Sequence, residues 1–172
     1  MHRIPAYIIL FLMLALIQIF LLNNLMAGAF FCPLIYVAFI ILLPLDTPPI
    51  VMLGCALAMG VTMDTTMGIA GLNTAATLPI AFFRPNILGL LSAHDEHRDD
   101  GIPSPKRMGV NLFWSYLVAM ILIHHTLFFV LEALSWGHVG RTLLRILCSG
   151  ATTTLLAWLT ARLFTNKYST RK

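Results

Sequence analysis

Charge is excluded from most of this chain. Residues 4–22 hold no Lys, Arg, Asp or Glu, and neither do residues 25–45, 50–63, 65–83 or 109–131. As a helix, the first of these runs reaches roughly 28 Å, enough to cross the hydrocarbon core of a bilayer. With 59% of its 172 residues hydrophobic and 10% charged, a domain of this size leaves too much of its surface in water to hide that much apolar side chain in a soluble fold. The expectation is an all-α, polytopic transmembrane bundle with about six spans.

Breakers and charges divide the runs. The first span is read over residues 4–22, behind His2 and Arg3, with Gln18 its only strongly polar interior residue. Ala27-Gly28-Ala29 offers a cleavage-like site, but the apolar run is longer than the centre of a signal peptide, which favours a retained span. A second span covers 25–45 and ends at Asp46-Thr47-Pro48-Pro49, where two prolines lack amide donors. Residues 50–83 read as two helices, 50–67 and 71–83, the second interrupted at Pro79 and extending toward 91. Their junction, Asp64 to Thr74, is polar and rich in Gly. Arg84 is expected to reach the headgroups. Residues 92–108, SAHDEHRDDGIPSPKRM, read as an irregular loop, and spans over 109–134 and 142–164 complete a single membrane domain, 1–172.

Counting charge tests the topology. With six spans and the first residue in the cytoplasm, nine of the 11 Lys and Arg fall inside and only Arg141 and Arg145 outside. Reading 50–83 as one span would put loop 92–108 and the tail outside and reverse the bias. The positive-inside rule therefore favours six spans with both termini cytoplasmic. The net charge of +4 follows that placement, and no basic patch with interleaved aromatics points to nucleic acid.

Asp64 is the costliest residue to place in lipid. Ala56, Gly60, Asp64 and Gly68 are four apart, so they share one face of a helix, and small residues there let another backbone approach. Asp64 could bond hydroxyls and amides at the turn over 71–74, couple to a partner helix, or titrate. On the fifth span, Asn111, Ser115, His125 and Glu132 are read on one face, with His125 a neutral interior histidine and His124 directed elsewhere. Asp64 and His125 would meet if their helices pack together. The hydroxyls at 149, 152–154 and 160 return to backbone carbonyls, and Trp114, Trp136 and Trp158 read as interfacial anchors. Cys32, Cys55 and Cys148 lie in apolar segments as packing residues. His94 and His97 sit in the polar loop with no rigid frame to make a metal site of them. No elbow, phosphate loop, zinc-protease or Cys-x-x-Cys motif appears, so neither enzymatic activity nor a cofactor is expected.

The segment Gly60-Val61-Thr62-Met63-Asp64, followed by a turn with Gly68 and Gly71, resembles the rod shape-determining MreD family, as do the length, the hydropathy and the minimal loops. The resemblance implies a multi-pass protein of the bacterial cell inner membrane, a non-catalytic subunit of the cell-elongation machinery that regulates cell shape and guides lateral peptidoglycan synthesis. It implies as partners an MreC-like single-span protein, an MreB-like filament, a SEDS-type glycosyltransferase with its transpeptidase, and membrane lipid. It also implies a fold similar to the substrate-binding subunits of energy-coupling-factor transporters. The carry-over is confined to Gly60, Asp64, Gly68 and Gly71, while His125 and Glu132 stay candidates from the helix pattern alone. Two other readings remain open: a small-solute-binding transporter subunit, which would want a larger outer lid, and an intramembrane enzyme.

Overall fold

A computed structural model of the protein describes residues 4–24, 31–91, 101–134 and 139–169. Among the described residues every element is a helix: α1 (Ile4–Leu16), α2 (Val37–Leu42), α3 (Pro49–Met67), α4 (Leu72–Leu91), α5 (Pro105–Met108), α6 (Val110–Ala133) and α7 (Val139–Ser169). Five stretches are long and apolar enough to cross a membrane: Ile4–Leu22, Pro49–Met67, Leu72–Leu91, Val110–Ala133 and Val139–Thr165. Their outer faces carry exposed Ile8, Leu12, Phe20, Leu57, Phe82, Leu122 and Leu155. Apolar side chains turned outward on every long helix are what a lipid solvent requires, and the chain is an all-helical polytopic membrane bundle.

α1 continues without a break as a wider π turn over Ile17–Leu22, closed by a bond from Asn23 N to Gln18 O at 2.9 Å. Gln18 is buried there, 1% exposed.

The expected continuous second span over 25–45 is not one helix. Residues 31–34 are irregular, only Val37–Leu42 is helical, and residues 32–43 are buried throughout. Pro33 helps explain the interruption, because it has no amide to give to a helical ladder. Non-helical backbone survives at membrane depth only where protein supplies its partners. Here Gln18 accepts from Ile35 N at 2.8 Å and donates to Pro33 O at 3.1 Å. Two hydroxyls of α7 accept two further amides: Ser149 from Cys32 N at 2.9 Å and Thr153 from Leu34 N at 3.0 Å. Tyr7 Oη reaches Leu42 O at 3.3 Å. With Gln18 at residues 33–35 and Tyr7 at 42, the broken segment runs antiparallel to α1. α2 touches α1, α3, α6 and α7, so this segment is the centre of the bundle.

α3 starts on Pro49, whose missing amide costs nothing in a first turn. It ends on Gly68 at φ 66°, a left-handed cap suited to glycine. α4 is one helix through both Pro79 and Pro85, not a helix interrupted at Pro79. The two hairpins α3–α4 and α6–α7 are joined by extensive α4–α6 packing. The polar loop is only partly irregular. Gly101, Pro103 and Ser104 are buried, Gly101 O accepts from Leu45 N at 2.8 Å, and α5 follows. His94, His97 and the rest of 92–100 lie outside the described residues.

Candidate functional site

The α3–α4 hairpin is closed by Asp64, whose two carboxylate oxygens accept four hydrogen bonds. Oδ1 takes Asn73 N at 2.8 Å and Asn73 Nδ2 at 3.0 Å, and Oδ2 takes Thr74 N at 3.0 Å and Thr74 Oγ1 at 2.6 Å. The acceptor therefore serves the open amides at the start of α4, where the helix dipole also favours an anion. The two chains approach closely beneath it. A Cβ on Gly60 would stand 2.6 Å from Thr74 Cα, so only glycine fits. Gly68 and Gly71 have nothing within 4 Å of an added Cβ; their φ values of +66° and +78° are what call for glycine. The small-residue stripe is thus two devices, a packing site at Gly60 and a backbone site at Gly68.

From Asp64 a chain of polar contacts enters the bundle. Asn73 is fully buried and accepts at Oδ1 from Tyr36 Oη at 2.9 Å. Tyr36 Oη also lies 3.1 Å from His124 Nε2. The phenol has one proton and gives it to Asn73, so Nε2 of His124 is the donor and Nδ1 the bare acceptor. That Nδ1 is buried with no partner among the described residues. The histidine that joins Asp64 is therefore His124 and not His125. His125 is buried beside it, with Nδ1 donating to Ile121 O at 3.0 Å and Nε2 accepting from Thr153 Oγ1 at 3.1 Å. Thr153 is the same hydroxyl that holds Leu34 N, so His125 braces the broken segment through α7.

The expected shared face of α6 does not exist as a site. Asn111, Ser115 and Glu132 are exposed, whereas His125 is buried. Glu132 pairs with Arg145 at 2.6 Å in a partly exposed bridge between α6 and α7, and Arg145 also lies 4.6 Å above the Phe129 ring.

Arg84 does not reach the headgroups. It is fully buried, and among the described residues no carboxylate pairs with it. Nε donates to Tyr116 Oη at 2.7 Å, Nη1 to Pro44 O at 3.1 Å, and Nη2 to Leu43 O and, at 3.4 Å, to Ile41 O. Tyr116 in turn donates to Ile41 O at 3.0 Å. These carbonyls are the open end of α2, where the dipole is negative and a cation is stabilised. The guanidinium thus ties the C-terminal end of the broken segment to α4 and α6. A fork of five donors suits such a cage, which a lysine could not fill.

Beside Asp64 an open depression is lined by Val61, Thr65, Ile69, Thr74 and Ala75. Cys32, Cys55 and Cys148 are free thiols, and no group of three or more metal-ligating side chains occurs among the described residues. No protein-family model, curated protein or solved structure matches the chain.

Proposed function

We propose that this chain is a non-catalytic membrane subunit of the bacterial cell-elongation complex, in the inner membrane, helping to maintain rod shape and to guide lateral peptidoglycan synthesis. The observation that carries the non-catalytic part is how the interior polar groups are used. Asp64, Gln18, Ser149, Thr153 and Arg84 all bond backbone of this chain. Groups engaged in this way fix a shape and leave little free to act on a substrate. A solute-binding subunit would want an enclosed polar cavity around Asp64 and Asn73, whereas Asn73 is fully buried and the depression beside Asp64 is open.

The elongation assignment rests on the MreD-like segment from Gly60 to Gly71. Its support is that each of the four carried-over residues has a distinct physical task in one hairpin: close approach, helix capping and two left-handed turns. We further infer six passages with both termini in the cytoplasm, the second being the broken segment that runs back along α1. This reading keeps the excess of Lys and Arg inside. The partners would be an MreC-like single-span protein and, through it or directly, an MreB-like filament and the SEDS-type synthase pair.

Depletion in a rod-shaped host, combined with affinity purification from native membranes, tests the reading. Cells should widen and round, and a single-span extracytoplasmic coiled-coil protein should co-purify. Unchanged cell width together with lost uptake of one small solute would replace it with the transporter reading.

A further inference from the structure

We propose that the cytoplasmic ends of α6 and α7 form a headgroup site for an anionic phospholipid, built from Trp114, Trp158 and Arg162. The two indoles come from different helices and stack with ring centroids 6.0 Å apart and planes 23° from parallel. Both are half-buried, which fixes their orientation. Arg162 lies one turn beyond Trp158 on α7, and its guanidinium carbon stands 4.8 Å from the Trp158 ring centroid.

The direction of the side chain matters. Side chains on a helix tilt toward its N-terminus, so Arg162 leans back over Trp158 and away from the end of α7. It is held on the aromatic face instead of extending toward bulk water. A guanidinium stacked in this way keeps its in-plane N–H donors at the edges, open to a second ligand. Arg162 is exposed and has no ion-pair partner among the described residues.

A cation fixed at the edge of the hydrocarbon recruits an anion, and a phosphate matches the fork of the guanidinium. The flanks decide the source of that phosphate. Leu155, Leu159 and Leu163 on α7 and Val110 and Val118 on α6 are 44–65% exposed. They offer acyl chains a surface beside the cation that free phosphate could not use. Asn111 and Ser115, exposed in the first turns of α6, add polar groups at headgroup level. The site stands apart from the elongation reading, because it needs only these two helix ends.

The test uses the full-length chain carrying W136F, so that Trp114 and Trp158 are the remaining indoles. It is reconstituted into phosphatidylcholine vesicles containing increasing fractions of brominated phosphatidylglycerol or brominated phosphatidylcholine. Bromine quenches indole at contact, so the two curves compare occupancy at the site. Phosphatidylglycerol should be favoured roughly fivefold, the value of one cation near an anionic headgroup. Raising salt should reduce the preference. R162Q should bring the ratio to one, R162K should keep part of it, and R141Q at the other end of α7 should leave it unchanged. Equal quenching by the two lipids in the W136F parent would overturn the proposal without recourse to any Arg162 variant. So would a preference that persists in R162Q, or one that inorganic phosphate abolishes where sodium chloride of the same ionic strength does not, since the last would mean an ion site and not a lipid site.

Discussion

Asp64 and Arg84 are the two buried Asp, Glu, Lys or Arg side chains among the described residues, and each is neutralised by the end of a helix and not by a counterion. Asp64 sits on the amides that open α4, and Arg84 on the carbonyls that close α2. They differ in reach. The partners of Asp64 are nine and ten residues away, inside one hairpin, whereas those of Arg84 are 32–43 residues away on two other elements. One charge shapes a local turn, and the other joins separate parts of the bundle. An anion at a helix start and a cation at a helix end follow the same dipole rule, so any difference in what they contribute reflects what they connect.

The largest effect is expected at Arg84. R84L leaves the carbonyls of Leu43 and Pro44 and the Tyr116 hydroxyl without their donor in a buried site, at a cost of about 3 kcal/mol or more. Resistance to unfolding by SDS in mixed micelles should fall sharply. R84K, which keeps charge but loses the fork, should recover less than half of the difference. Full rescue by Lys would mean that charge on the dipole suffices and the geometry of the cage is incidental.

Asp64 should come second. D64L removes all four acceptor contacts and should cost about 2–3 kcal/mol in the same assay. D64N keeps one acceptor oxygen, and the Thr74 hydroxyl can turn to accept from the new amide, so the loss should be about 1 kcal/mol. If D64N unfolded as readily as D64L, the carboxylate charge and not its hydrogen bonding would be the essential property, and the parallel with Arg84 would be closer than the distances suggest.

The last comparison separates the two glycine tasks within the Asp64 hairpin and ends on the smallest effect, at Gly68. G60A pushes a methyl group into the Thr74 backbone and should cost about 1–3 kcal/mol. G68A meets no neighbour and should cost only about 1 kcal/mol, the strain of a left-handed alanine. The quantity to compare is folded protein recovered in mild detergent at matched expression. Equal losses would show that the hairpin can slide to relieve the contact.

What the sequence made legible divides along the same line. The long helices followed from the placement of charge, and a hairpin bond between Asp64 and residues 71–74 was among the readings, because every residue involved lies within one turn and its flanks. The broken segment did not, since residues 25–45 have the hydropathy of an ordinary span and only Pro33 hints at the interruption. Its unwinding depends on Gln18, which reads from sequence only as the polar residue inside the first span, and on Ser149 and Thr153, whose hydroxyls read as returning to their own helix. Arg84 misled for a related reason. An arginine beyond an apolar run looks like an anchor in the headgroups unless the carbonyls that enclose it, from residues 41–44, are known to be there. For His124, the helix period separates it from the His125 face but does not say which face meets Tyr36.

The hydroxyls that hold Cys32 and Leu34 lie 117 and 119 residues further along the chain. When the first third of the protein leaves the ribosome, the acceptors for those amides have not yet been synthesised. The amides of Cys32 and Leu34 therefore gain these acceptors only once α7 has been made and joins the bundle. A chain truncated before Ser149 would leave those two amides without their hydroxyl acceptors in a buried segment, however well its earlier helices insert.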